Sequence, residues 1–119
     1  MEIPENVYYI GDNAFEGNTN IQTVMVTNNV KYIGNKAFYN CTGLTDVYIS
    51  DNTFMIDDYA FYECSSFKGS LTIPNSVTSI GNGTFESCSG FTGSLTIPNS
   101  VTTIGDYAFR FCDGFTGSL

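Results

Sequence analysis

The sequence contains no histidine and no tryptophan, four basic residues and three prolines among 119. Each shortage removes a class of function. Without histidine, neither a Ser/His nor a Cys/His nucleophilic pair can form. Lys31, Lys36, Lys68 and Arg110 are too few to neutralise a phosphate backbone, and the formal charge is −8. Nucleic acid and an anionic membrane surface are therefore poor partners. Nine of the twelve acids precede residue 65, so a partner of the N-terminal half is expected to be neutral or basic. No run approaches the roughly 18 apolar residues of a membrane span. The start Met1-Glu2-Ile3-Pro4-Glu5 lacks the basic and apolar regions of a signal peptide. Gly81-Asn82-Gly83-Thr84 lacks the lysine and spacing of a phosphate-binding loop. Asp57-Asp58 is the only adjacent pair of acids. No enzyme activity and no cofactor is expected. With 13% charged and 42% hydrophobic residues, disorder is excluded as well.

What the sequence does have is a repeat. Ile-Gly recurs at Ile10-Gly11, Ile33-Gly34, Ile80-Gly81 and Ile104-Gly105, with Ile56-Asp57 in the third slot. Five residues after each Ile stands Phe15, Phe38, Phe61, Phe85 or Phe109. Six further on stands Ile21, Leu44, Phe67, Phe91 or Phe115, and in every series the steps are 23, 23, 24 and 24. Such a period is the mark of a solenoid. The expected fold is one repeat solenoid over residues 1–119, mainly β with short helical or 3-10 turns. It comprises about five stacked coils, roughly 1–23, 24–46, 47–70, 71–94 and 95–119. The chain begins inside a repeat and stops at Gly117-Ser118-Leu119, where a new strand is due. It therefore reads as a segment of a longer array. Uncapped ends would expose strand edges, so an end-to-end homodimer is expected.

Within a coil, Leu71-Thr72-Ile73 alternates apolar and polar residues and reads as a short strand ended by Pro74. Its equivalents are Val24-Met25-Val26, Val47-Tyr48-Ile49 and Leu95-Thr96-Ile97, expected to stack in parallel about 4.8 Å apart. Val77 to Gly81 is a second extended stretch closed by a glycine turn. After each Ile-Gly slot comes Asp12, Asn35, Asp58, Asn82 or Asp106. Such side chains accept hydrogen bonds from orphan amides at the start of a helical turn. The alternative, a calcium ladder, lacks the several close oxygen ligands it needs.

Cys41, Cys64, Cys88 and Cys112 each follow their Phe by three residues. Equivalent positions point the same way from every coil, so the thiols form a column and do not converge on a tetrahedral metal. Parallel Cβ vectors also suit a disulfide poorly. Small buried apolar residues are the expected role.

In order, Ile-Pro, Ser-Val-Thr, Ile-Gly, Ala-Phe, Cys and a large apolar residue resemble the BspA-type (Treponema pallidum-type) leucine-rich repeat over nearly the whole chain. Thr27 replaces the proline of the second repeat, Asn18 the cysteine of the first and Asp57 the glycine of the third. The resemblance implies a cell-surface or secreted binding module, with a host matrix or other cell-surface protein as partner. A carbohydrate surface or a spacer carrying another domain are the alternatives, and the absence of Trp weakens the first of these.

A ligand would meet the outward positions of the strand ladder: Thr23 and Met25, Asp46 and Tyr48, Ser70 and Thr72, then Ser94 and Thr96. The first two pairs carry the richer contact chemistry. A second concentration, Tyr8, Tyr9, Tyr32, Phe54 and Met55, fills slots that later repeats give to Thr or Ser. It is either a docking patch or the seat of a preceding cap.

Overall fold

The computed structural model describes residues 1–116. The expected strand start at Gly117-Ser118-Leu119 lies outside them. Nine short strands follow the repeat: β1 (Tyr9–Ile10), β2 (Thr23–Met25), β3 (Tyr32–Ile33), β4 (Asp46–Tyr48), β5 (Met55–Ile56), β6 (Leu71–Thr72), β7 (Ser79–Ile80), β8 (Leu95–Thr96) and β9 (Thr103–Ile104). Each pairs in parallel with an equivalent strand of an adjacent coil. The odd-numbered strands form one continuous five-stranded sheet, β1-β3-β5-β7-β9. Ile10, Ile33, Ile56 and Ile80 point inward from it and are buried.

The core is a set of stacked identical side chains. Phe15, Phe38, Phe61, Phe85 and Phe109 form a column with ring centroids 5.2, 5.2, 5.4 and 5.6 Å apart. Phe67, Phe91 and Phe115 form a second one at 5.2 and 4.9 Å. Offset stacks at this separation add to the burial of the rings themselves. Ile104, in the last described coil, is 46% exposed although the four preceding isoleucines are buried.

The segments expected to be helical are not helical. In the first three coils each folds as three linked turns, in coil one Gly11 to Ala14, Asn13 to Glu16 and Phe15 to Asn18, closed by bonds to the amides of Ala14, Glu16 and Asn18. The intervening amides point across the stack, Asn13 to Asn35, Phe15 to Ala37 and Gly17 to Tyr39 carbonyls. Alternate amides thus serve the coil and its neighbour, which a helix cannot do because all its amides run along one axis. The geometry needs left-handed residues at fixed places. Asn13, Lys36, Tyr59, Gly83 and Tyr107 occupy one such position, with φ from 57 to 61°. For Tyr59 this conformation costs about 1 kcal/mol or more, offset by the bond from its amide to the Asn82 carbonyl of the next coil at 2.8 Å.

The Asp/Asn column accepts orphan amides as expected, but those of the following coil. Asp12 Oδ1 takes the Asn35 amide at 2.9 Å, Asp58 Oδ1 the Asn82 amide at 2.7 Å and Asn82 Oδ1 the Asp106 amide at 2.8 Å. At Gly34, Gly81 and Gly105 the same approach requires glycine: a Cβ on Gly81 would lie 2.5 Å from the Asp58 amide nitrogen.

The strands of the other face do not form the continuous ladder the repeat suggests. β2 pairs with β4 and β6 with β8, but β4 does not pair with β6. The cause is the change of step from 23 to 24. Coils one and two have two residues between the apolar residue and the first inward strand residue, Gln22-Thr23 before Val24 and Thr45-Asp46 before Val47; later coils have three, Lys68-Gly69-Ser70 before Leu71 and Thr92-Gly93-Ser94 before Leu95. Like links pair with like: Thr45 donates its amide to the Gln22 carbonyl, and Thr92 and Gly93 donate theirs to that of Gly69. Between unlike links the register fails.

Candidate functional site

The six strand-face residues are all exposed. Register places Thr23 beside Asp46 and Met25 beside Tyr48. Met25 is 49% and Tyr48 51% exposed, a large apolar pair side by side on a two-stranded sheet. Val24, between Thr23 and Met25 on β2, is buried, so the alternation that orients Met25 outward is fixed by the core. The first strand edge is covered: the Met25 amide donates to the Met1 carbonyl at 2.9 Å and Ile3 donates to the Met25 carbonyl at 3.1 Å. Ser70 and Thr72 are not neighbours of Asp46 and Tyr48 in a common sheet. They stand across the ladder break, over a cleft of about 300 Å³.

The aromatic patch assembles only in part. Tyr9 stacks on Tyr32 at 4.7 Å, and Phe54 is tilted against Tyr32 at 6.5 Å. Tyr8, Tyr9 and Phe54 are exposed, Tyr32 and Met55 half-buried. The Tyr32 hydroxyl donates to Asp57. That bond, with burial, pushes the Tyr32 phenol well above its ordinary range. Asp57 is therefore occupied as a structural acceptor, and its other oxygen takes the Asp58 amide at 2.7 Å.

The cysteines form the expected column. The thiols of Cys41, Cys64, Cys88 and Cys112 donate to the carbonyls of Phe15, Phe38, Phe61 and Phe85 at 3.0 to 3.2 Å. All four are free, the first three buried and Cys112 partly exposed. Burial raises each thiol pKa, that of Cys112 to about 11. Such thiols are poor nucleophiles. Among the described residues no three His, Cys, Asp or Glu side chains gather as a metal site, and no helix is long and apolar enough to cross a membrane.

One cluster escapes the sequence reading. On the outer side of the turns, Tyr39, Tyr59, Tyr62 and Tyr107 line a cavity of about 500 Å³ with Lys36, Arg110 and Glu86. Tyr39 stacks on Tyr62 at 4.8 Å, and Tyr59 meets Tyr62 edge-on at 5.8 Å. Gly83 makes room for this, since a Cβ there would collide with the Tyr59 ring. The signal in the sequence was the recurrence of Tyr at the residue after Phe and at the residue before Ala-Phe.

The sequence model of the BspA type leucine rich repeat region matches residues 1–116 in six copies. The chain belongs to the BspA-type leucine-rich repeat family. Solved structures agree. A leucine-rich repeat protein of T. pallidum is 31% identical with a TM-score of 0.90, the match covering 97% of this chain and 55% of that one. One from Bacteroides ovatus is 34% identical with a TM-score of 0.88, over 96% of this chain and 31% of that one. A leucine-rich cell surface protein of Faecalibacterium prausnitzii is 34% identical with a TM-score of 0.71, over 97% and 37%. This BspA-type chain thus spans between about a third and about half the length of these relatives. No curated protein matches it.

Proposed function

We propose that this chain is a non-catalytic binding module that offers the β2–β4 strand face to a protein ligand, a host matrix or other cell-surface protein, at a microbial cell surface. The observation that carries the reading is the register pairing of half-exposed Met25 and Tyr48 beside Thr23 and Asp46. The equivalent slots of β6 and β8 hold only Ser70, Thr72, Ser94 and Thr96. Contact energy in interfaces concentrates on exposed aromatic and Met anchors, so the first two coils are the contact region. The F. prausnitzii relative, named a cell surface protein, supports the location.

The test is the triple variant Met25→Thr, Asp46→Ser, Tyr48→Thr, which gives the early coils the face of the late ones. Immobilised extracellular matrix proteins are the probes. A binder of the native chain should lose affinity by about tenfold or more, the usual scale for an anchor. Unchanged affinity would rule the face out, and a panel with no binder would leave the spacer reading in its place.

The tyrosine-lined cavity supports a glycan as the second reading. Tyr rings with Glu86, Lys36 and Arg110 at its wall provide faces for sugar rings and partners for their hydroxyls. In that case Tyr39→Ala and Tyr62→Ala, not the strand-face variant, should abolish binding on a glycan array.

A further inference from the structure

The break between β4 and β6 leaves two strand edges on either side of a cleft. In a parallel ladder, alternate residues turn their amide and carbonyl to opposite neighbours. Val26 donates to the Tyr48 carbonyl, so Asp46 and Tyr48 serve β2 and the backbone of Val47 and Ile49 turns toward β6. Leu71 and Ile73 donate to the Ser94 and Thr96 carbonyls, so the backbone of Ser70 and Thr72 turns toward β4. No backbone hydrogen bond joins the two edges.

The gap is held open by rigid surroundings. On the other sheet β5 and β7 pair across the same two coils, Phe61 stacks on Phe85 at 5.4 Å, and the Cys88 thiol reaches the Phe61 carbonyl at 3.1 Å. The two edges are therefore fixed relative to each other before any ligand arrives. Between them lies the cleft of about 300 Å³, with Val47, Ile49 and Leu71 in its lining and Asp46, Asp51 and Lys68 bringing charge. Two acids against one base, in a chain of charge −8, favour a basic side chain in the occupant.

We propose that this rift takes a short extended segment of a protein partner, which enters as a strand, pairs its backbone with β4 and β6 and sets a basic side chain against Asp46 and Asp51. Strand addition uses main-chain bonds for affinity and the alternate side chains for selection. The rift supplies both elements, unpaired amides and carbonyls along two edges and an acidic flank. A sugar has no comparable alternation of donors and acceptors at strand spacing. The inference deepens the strand-face reading and rests on it, for Asp46 and Tyr48 form one wall.

The test is titration of the 15N-labelled chain with blocked pentapeptides that alternate Val with Lys or Thr. Saturable shifts and slowed exchange are expected at the Val47, Ile49, Ser70 and Thr72 amides. N-methylation of the two Val residues blocks pairing with one edge and should weaken binding by about tenfold or more, as should exchange of Lys for Glu in the peptide. Asp46→Asn with Asp51→Asn, which keeps shape, should weaken the Lys peptide by a similar factor and reduce its salt dependence. Shifts centred elsewhere, no shifts, or equal binding of the N-methylated peptide would overturn the proposal. The two readings fail separately. A matrix protein whose binding depends on Met25 and Tyr48, with no peptide response at the rift, removes the rift and leaves the face. Peptide binding at the rift, with matrix binding indifferent to Met25 and Tyr48, does the reverse.

Discussion

The Cys88 thiol donates to the carbonyl of Phe61, one coil back, at 3.1 Å. This joins the cysteine column to the phenylalanine column and turns a residue type associated with chemistry into a tie between coils. In the native chain at pH 8, a thiol reagent should label Cys112 first and Cys41, Cys64 and Cys88 only on unfolding. Four thiols should titrate in denaturant without reductant. Rapid native labelling of Cys64 or Cys88 would show the column to be open.

The same burial sets an alkaline limit. The folded pKa of Cys112, about 11, lies above its ordinary value of 9.0. Its thiol form is thus favoured by folding, a contribution fully present below pH 9.0 and lost as pH rises through the folded pKa. Tyr32, raised first by its bond to Asp57, adds a loss of the same sign at still higher pH. Denaturant midpoints should fall progressively above pH 9.0. A flat profile up to pH 11 would contradict the burial of Cys112.

Phe61 is fully buried and stacked on both sides, at 5.2 and 5.4 Å. Phe61→Ala should cost about 3–5 kcal/mol in urea unfolding, enough to unfold a marginal stack. Tyr48→Thr, on the exposed face, should stay within about 0.5 kcal/mol. Comparable costs for the two would mean that Tyr48 is a core residue.

Gly90 and Asp58 test the inter-coil contacts. A Cβ on Gly90 would collide with the Phe67 carbonyl oxygen, so Gly90→Ala should be strongly destabilising. Gly17 has φ +73° but nothing near a new Cβ, so Gly17→Ala should cost only about 1 kcal/mol. Asp58→Ala, which leaves the Asn82 amide without its acceptor, should cost about 1 kcal/mol as well.

Much of this was legible in the sequence because the repeat states it several times over. The period gave the coils, the Phe and Cys columns and the outward position of Met25 and Tyr48. The turns differ from the helical expectation, which arises because Asp or Asn two residues before Ala-Phe also resembles a helix start. What distinguishes them is left-handed backbone at Tyr59 and Glu63, whose amides are bonded to the Asn82 and Glu86 carbonyls of the next coil, a conformation foreign to those residue types. The change of step at Lys68-Gly69-Ser70 is present in the sequence. The break it makes in the ladder is not, because strand pairing depends on the register of both neighbours.

The central claim is that one added residue in the link of coil three opens the strand ladder between β4 and β6. Amide hydrogen exchange of the free chain tests it most directly. Val47 and Ile49 occupy the positions that Leu71 and Ile73 occupy one coil later, where both amides are bonded to Ser94 and Thr96 carbonyls. The Val47 and Ile49 amides should exchange faster than those of Leu71 and Ile73 by about two orders of magnitude, because they need no opening event. Equal protection at the four amides would show a closed ladder and contradict the account.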